Sequence, residues 1–340
     1  MSFTENLQQK LMNLEISSKD HTVYTEDADA LLNHVIEELK EKDPSFAEVF
    51  VGLSLCGSYL DQVKLDVPDE FDLHLKLKFP FKVTPKSNNS EFVSLCAEFE
   101  PMLLKFDIEG ADLQHWLHSV FKKVFSSDLI LSCNGKKYTL SYRMGTYGCA
   151  HTIKAVSKDR ALSIDLVPAF EFTGSQWPFA DPPVPQKVRN AYPWLATALL
   201  GVNKTGKSFI VSAPMWENAL IKDNHKLKDV LRLMKGLRDA NRKQLPELSS
   251  YMMKTVLLHR AATVDWKRDL GELFVEMWGH LIKHLWNGKL EVFLTRNGNL
   301  LSQMHPQSQK KCLATAEDLL KSLKEAKLAV DKFDKVFTEK

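Results

Sequence analysis

Three observations predict an α+β chain in two lobes, an N-terminal α/β lobe followed by a helical one. A long run of helical periodicity opens the sequence, period-two strand patterns follow up to Phe172, and beyond a proline-rich stretch most segments return to helical spacing. The 340 residues suffice for one large domain or two lobes with buried cores. With 44% hydrophobic and 26% charged residues the balance is that of a globular protein, which excludes wholesale disorder.

Between residues 5 and 41 apolar positions recur at helical spacing: Leu7, Leu11 and Leu14, then Ala30, Leu31, Val35 and Leu39. They predict two helices or one long interrupted helix, the second block lying behind the acidic turn Glu26 to Asp29, which suits a helix N-terminus. Val49 to Leu55, mostly apolar and bounded by Gly57, predicts a short buried strand. From Phe71, strict alternation sets Phe71, Leu73, Leu75, Leu77 and Phe79 on one face and Asp72, His74, Lys76 and Lys78 on the other. This is the clearest strand in the chain. Pro85 to Ser90 predicts a mobile polar loop, and Ala111 to Phe125 a helix. Asn134-Gly135 marks a tight turn between strands Leu129 to Ser132 and Tyr138 to Tyr142, and Ala161 to Phe172 is one more strand, with Leu162, Ile164 and Leu166 facing a core.

Trp177 to Pro185 is the proline-rich boundary, so the lobes are expected at residues 1–180 and 181–340, with an active site in the cleft between them. Trp194 to Leu200 reads helical and Phe209 to Val211 strand-like. Helices are predicted over Lys222 to Arg242, Leu248 to Arg260, Leu270 to Leu285 and Thr315 to Val336.

The opening MSFTENLQQK lacks a basic and apolar leader pattern, and no uncharged apolar run approaches the roughly 20 residues of a membrane span, so a cytoplasmic protein without a membrane partner is expected. Five scattered cysteines form no metal-spaced cluster, and neither a disulfide framework nor a zinc site is expected. A net charge of +2 leaves polyanion binding to local patches.

The most informative pattern is Gly57-Ser58, then eleven residues, then Glu70-Phe71-Asp72. Alternation places Glu70 and Asp72 on one strand face, where two carboxylates repel unless a cation lies between them or one is protonated. A bare E-x-D is more simply the solvated face of a half-exposed strand. Gly57, which permits close backbone approach, Ser58, which can bond a phosphate oxygen, and Asp165, a lone acid in the apolar strand Leu162 to Leu166, shift the reading toward a divalent metal site. Hard oxygen ligands favour magnesium or manganese, the ions of phosphoryl and nucleotidyl transfer.

These residues resemble the signature of the nucleotidyltransferase superfamily. The stretch GSYLDQVKLDVPDEFDLHLKL is similar to that of cyclic GMP-AMP synthase and its Mab21 relatives, the cyclic GMP-AMP synthase-like receptors. The likeness continues in Ser163 to Leu166 with Trp177-Pro178, in Leu233-Met234-Lys235, and in Leu248 to Thr255. The resemblance implies a two-lobed nucleotidyltransferase fold with a mixed twisted sheet and a long N-terminal helix. Glu70, Asp72 and Asp165 would then bind Mg2+ or Mn2+ and carry catalysis, and Gly57 and Ser58 would hold a donor triphosphate. Lys235, Ser250 and Lys254 would contact donor phosphate and base, Tyr251 would stack on a purine, and Ser212 and Glu217 would add nucleotide contacts.

The implied activity is synthesis of a cyclic dinucleotide from ATP and GTP in innate immune signalling. Vertebrate members read guanine with an Arg-Leu-Ser run where this chain has Ile210-Val211-Ser212, leaving the base identity of the product open. Their DNA-gripping zinc ribbon is missing, since Leu220 to Lys226 contains no cysteine. The chain thus resembles insect-type receptors activated by double-stranded RNA, with dimers or larger assemblies on RNA a further expectation. A catalytically silent scaffold of the same fold and a template-independent RNA nucleotidyltransferase are the alternatives.

Two other signals compete. Gly201 to Ser208 spells a Walker A motif, but a P-loop joins a strand to a helix, whereas Phe209 to Val211 is strand-like. Lys228, Arg232, Lys235, Arg238 and Arg242 recur at helical spacing as a candidate RNA-binding stripe, and Lys136, Lys137, Arg143, Lys154, Lys158 and Arg160 form a second basic source.

Overall fold

The N-terminal periodicity resolves into two helices, α1 (Phe3–Leu14) and α2 (Ser18–Lys42), because a serine caps each. The Ser2 hydroxyl accepts from the Glu5 N–H while the Glu5 carboxylate accepts from the Ser2 N–H, a reciprocal capping box, and Ser17 accepts from the Asp20 N–H. The computed structural model describes residues 2–87, 92–99, 104–127, 129–145, 149–198, 208–329, 333, 336 and 337.

Two compact units divide the chain. A sheet unit comprises residues 17–60 and 67–216, and a helical unit comprises 1–16, 61–66 and 217–340. The sheet therefore runs past the boundary expected at residue 180. Its strands are β1 (Phe50–Cys56), β2 (Glu70–Leu77), β3 (Lys82–Ser87), β4 (Phe92–Phe99), β5 (Leu104–Ile108), β6 (Leu129–Cys133), β7 (Lys136–Met144), β8 (His151–Val156), β9 (Ala161–Phe172), β10 (Trp194–Ala198) and β11 (Phe209–Ser212).

The order is β3-β4-β11-β10-β9-β8-β7-β6, with the β1–β2 pair joined to β9 through β2 and with β5 on β4. β2 runs parallel to β9, and the neighbouring pairs are antiparallel, so the sheet is mixed as expected. The segment read as helical, Trp194 to Leu200, is strand β10 over its described part. All five β10 residues are buried, and such a continuous apolar run has no period with which to tell a core strand from a buried helix. Pro85 to Ser87, read as loop, closes β3, where Pro85 faces Leu95; an edge strand tolerates a residue with no N–H. Asn88 to Ser90 lie outside the described residues.

In the same unit, α3 (Pro44–Val49) and α4 (Gly57–Leu60) flank β1, and α5 (Gly110–Val124) fills the predicted helix. Asn134 and Gly135 both take positive φ, 48° and 73°, as the tight β6–β7 turn requires. Fully buried Asp27 fastens α2 to that hairpin: its carboxylate accepts from Tyr138 at 2.5 Å, from Asn134 at 2.7 Å and from Arg160. A short helix, α6 (Gln186–Ala191), precedes β10.

Beyond α7 (Pro214–Ile221), the helical unit contains α8 (His225–Ala240), α9 (Ser250–Leu258) and α10 (Leu270–Asn287), close to the predicted spans, and α11 (Pro306–Leu328), which begins nine residues before the expected Thr315. The α8 stripe does not form a solvated cationic face. Lys228, Lys235 and Arg238 are buried, and the cations turn inward because backbone carbonyls need donors: Arg232 donates to Gln62 O at 2.8 Å, Lys235 to Val63 O at 2.5 Å and Arg238 to Leu248 O at 2.7 Å. Arg242 alone of the five has a largely exposed side chain.

Candidate active site

Parallel pairing of β2 with β9 sets Asp72 opposite Asp165 and Glu70 opposite Ser163. Paired residues project from the same sheet face, so strand register alone gathers the three acids. Glu70, Asp72 and Asp165 each bring an oxygen within 4.8 Å of the others, with Glu70 exposed and the two aspartates half-buried. Charges of one sign this close repel, and a set of three hard oxygen donors matches Mg2+ or Mn2+, so the residues fit a divalent ion.

Gly57 lies against this patch. Cys56 at the end of β1 pairs with Asp72, and the next residue turns the chain into α4 at φ 67°. A Cβ at position 57 would collide with the Asp72 carboxylate, so glycine is required by space as well as by torsion. Ser58 follows in the first turn of α4, half-buried beside the patch's own strand neighbour. Tyr59 anchors the turn: its buried ring lies 4.6 Å from that of Phe71 and 4.7 Å from that of His21, and its hydroxyl meets Thr25.

Asp165 is held from its other neighbour, β8. Thr152 pairs with it and donates its hydroxyl to Asp165 Oδ1 at 2.6 Å. The adjacent His151 belongs to a buried polar chain whose directions follow from Gln114. The Gln114 amide N–H groups donate to Ala198 O at 3.0 Å and to Cys149 O at 3.3 Å, so its carbonyl accepts from His151 Nε2 at 2.9 Å. His151 Nδ1 then accepts from the Tyr142 hydroxyl at 2.8 Å, which in turn accepts from His118 Nδ1 at 2.7 Å. Burial pushes His151 down to about 3, so it stays neutral. Burial, and after it the charge of Asp165, push the Cys149 thiol up and keep it protonated. His74, assigned by alternation to the polar face, is 3% exposed and lowered by burial to about 4.

Of the sequence-derived nucleotide contacts, Gly57, Ser58 and Ser212 belong to the sheet unit with the carboxylates; Ser212 ends β11. Glu217, Lys235, Ser250, Tyr251 and Lys254 belong to the helical unit. There Lys254 Nζ lies 2.6 Å from Asp61 and 2.7 Å from Glu217, and Tyr251 donates its hydroxyl to Glu217 at 2.8 Å. Burial lowers the Lys254 ammonium's affinity for its proton, but the two carboxylates outweigh it and hold the group above its ordinary range. The Tyr251 ring stays partly exposed while its hydroxyl is tied down. Ser250 accepts from Arg238 at 3.0 Å. Burial, with Arg238 and Lys64 adding repulsion, pushes Lys235 down to about 8. Sequence reasoning missed Asp61, which carried a signal only as part of the GSYLDQ stretch, and Thr152, which carried none without strand register.

Residues 59–205 match the Mab-21 protein nucleotidyltransferase domain, and residues 226–318 the Mab-21 protein HhH/H2TH-like domain. The chain is 49% identical over 326 residues to a cyclic GMP-AMP synthase-like protein of Drosophila melanogaster, covering 95% of this chain and 94% of that one. The chain belongs to the cyclic GMP-AMP synthase-like family of Mab-21 nucleotidyltransferases. A cyclic GMP-AMP synthase-like receptor of Drosophila eugracilis is 32% identical, with 89% of this chain and 86% of that one covered, and one of Lucilia cuprina is 28% identical at 95% and 92%. All three carboxylates fall inside the matched nucleotidyltransferase domain of the family, and Lys235, Ser250, Tyr251 and Lys254 inside its helical domain. The Walker A spelling is thereby set aside: Gly201 to Lys207 lie outside the described residues, and the segment runs into strand β11 rather than a helix N-terminus. No helix among the described residues is long and apolar enough to cross a membrane.

Proposed function

We propose that the chain is a metal-dependent synthase that joins ATP and GTP into a cyclic dinucleotide of the cyclic GMP-AMP type when double-stranded RNA is present, acting in the cytoplasm in innate immune signalling. The observation that carries this reading is the convergence of Glu70, Asp72 and Asp165 beside Gly57-Ser58 in a chain of this family. The names of its relatives support the product class.

Glu70, Asp72 and Asp165 would hold Mg2+ or Mn2+, which would supply neutralising charge for a triphosphate and acidity for a ribose hydroxyl. Glu70 and Asp72 serve the triphosphate side, and Asp165 the hydroxyl. The α4 turn offers backbone N–H groups and the Ser58 hydroxyl to phosphate oxygens. In the sheet unit Ser212 adds a nucleotide contact; in the helical unit the Tyr251 ring, fixed by Glu217, stacks on a purine, and Lys235, Ser250 and Lys254 add nucleotide contacts, Lys254 through the carboxylates it holds in place. Ile210, 38% exposed, offers a base no hydrogen bond from its side chain. RNA contact passes to exposed Lys137, Arg143, Lys154 and Lys158, since the α8 cations are engaged internally and Arg160 is bound to Asp27.

The test is incubation with ATP, GTP and Mg2+ or Mn2+, with and without double-stranded RNA or DNA, and identification of products by mass spectrometry. The reading expects a cyclic dinucleotide with RNA and none from an Asp165→Asn variant. An extended RNA product, or no product under any condition, rejects it.

A further inference from the structure

Thr152 is 4% exposed in the middle of the sheet, yet it is a polar residue one strand away from a candidate metal ligand. A buried hydroxyl must find an acceptor, and this one finds Asp165 Oδ1 at 2.6 Å. The contact is built into the sheet. Cys56, Asp72, Asp165 and Thr152 occupy one register row across β1, β2, β9 and β8, so their side chains emerge from one face. Threonine is stiff at χ1, and the residue before it, His151, is fixed by Gln114 and Tyr142. The hydroxyl therefore has little freedom to leave Asp165.

From this geometry we infer that Thr152 is a positioning residue for the metal site: by donating to Asp165 Oδ1 it fixes the rotation of that carboxylate and leaves Oδ2 as the oxygen for a divalent ion. The inference rests on the three carboxylates being a metal site. A carboxylate ligand held by a hydrogen bond meets the ion without first being ordered, and loss of such a partner commonly weakens metal binding by about 10- to 100-fold. The Thr152 hydroxyl gives its one proton to the hydrogen bond with Asp165, so its role is to hold that carboxylate rather than to move a proton. Its effect belongs to metal affinity.

The test compares the full-length protein with Thr152→Val, which keeps the shape and removes the hydroxyl, Thr152→Ala, which removes both, and Thr152→Ser, which keeps the hydroxyl. Asp165→Asn serves as the reference for loss of the ligand. Mn2+ binding is titrated without substrate by the electron-paramagnetic resonance signal of free Mn2+, alongside thermal melting. The expectation is about 10-fold weaker binding in Thr152→Val and Thr152→Ala, with Thr152→Ser within about 3-fold of the unaltered protein. The Mn2+ concentration giving half-maximal turnover should shift in parallel.

Binding by Thr152→Val and Thr152→Ala equal to the unaltered protein, with Asp165→Asn deficient, overturns the role of Thr152 and leaves the metal site standing. If Thr152→Val does not fold, Thr152→Ser decides: a loss of binding as large as that of Asp165→Asn, at an unchanged melting temperature, shows that the hydroxyl is not what matters. Equal Mn2+ binding by the unaltered protein and Asp165→Asn overturns the metal-site reading itself, and this inference with it.

Discussion

A Cβ placed on Gly57 would lie 2.9 Å from Asp72 Cγ, closer than two carbons of separate residues approach. The turn after β1 and the Asp72 carboxylate are thus fitted to one another, and residue 57 has both a positive φ and no room. In Gly57→Ala the methyl group must displace Asp72 or the α4 turn. The left-handed torsion costs about 1–2 kcal/mol, a loss of a few degrees in melting temperature. Turnover should fall by far more, on the order of 100-fold, because the carboxylate moves from its neighbours. Steady-state kinetics beside a melting curve separates the two; a variant with unaltered turnover shows that the fit has no functional meaning.

Glu70, Asp72 and Asp165 form a patch of like charge that a bound cation would relieve. Asp72→Asn and Asp165→Asn each remove one repelling charge, so without metal both variants should melt at or slightly above the unaltered protein. The unaltered protein should gain stability with Mn2+, about 2.7 kcal/mol at one hundred times the dissociation constant, and the variants should not. Equal Mn2+ stabilisation of all three proteins excludes these aspartates as ligands.

In the helical unit Lys254 lies between Asp61 and Glu217, both nearly without solvent exposure. Lys254→Met strands two buried carboxylates, and a loss of about 3–5 kcal/mol is expected in chemical denaturation. Tyr251→Ala removes a partly exposed ring and should cost little stability while raising the nucleotide KM by about 10-fold, the worth of one stacked base. Tyr251→Phe keeps the ring and loses only the bond to Glu217, so it should fall between. A Tyr251→Ala variant with normal KM would remove the stacking role.

The carboxylates were legible because two of them share one alternating strand and the third stands alone among apolar neighbours, and they were expected to meet; the register that brings them together was not legible, since β2 pairs with β9 across about ninety residues of chain. Helices α8, α9 and α10 were read nearly to their ends, for their period is local, whereas α2 and α11 begin well before the expected starts at Glu26 and Thr315. Trp194 to Ala198 misled because a strand buried on both faces has no period at all. The α8 stripe misled for the opposite reason: regular spacing places four cations along one helix and Arg242 just past its end, but whether Lys228, Arg232 and Lys235 meet water or protein oxygens is decided by the distant segment 61–66. Thr152 gave no sign because its role depends on the β8–β9 register, and Asp61 gave none beyond the GSYLDQ stretch because its partner Lys254 is far away in sequence.

Lys137 and Lys154 remain exposed on the sheet unit, and as phosphate contacts each would release about one counterion. Lys137→Glu with Lys154→Glu should weaken RNA stimulation at moderate salt and flatten the dependence of log affinity on log salt by about two units. Arg242→Glu, exposed just beyond the end of α8, tests the helical stripe and should leave the slope unchanged. A slope that responds to Arg242 but not to the two lysines reverses the assignment.

Asp27 links acid stability to the sheet unit. Burial raises its carboxyl, but hydrogen bonds from Tyr138 and Asn134 and the charge of Arg160 more than offset that and hold it below 3.8. A depressed carboxylate stabilises the fold above its unfolded pKa, near 3.9, and the stabilisation is lost as pH falls through the lower folded value. Asp27→Asn keeps the size but leaves Arg160, its side chain 13% exposed over the Tyr24 ring, without a counter-charge. The variant should therefore be less stable by about 3 kcal/mol from pH 5 to 7, with the gap closing below pH 4 as Asp27 of the unaltered protein takes up its proton. Urea midpoints across that range measure it. A gap that persists undiminished at pH 2 would mean that shape, rather than the ion pair with Arg160, is what Asp27 contributes.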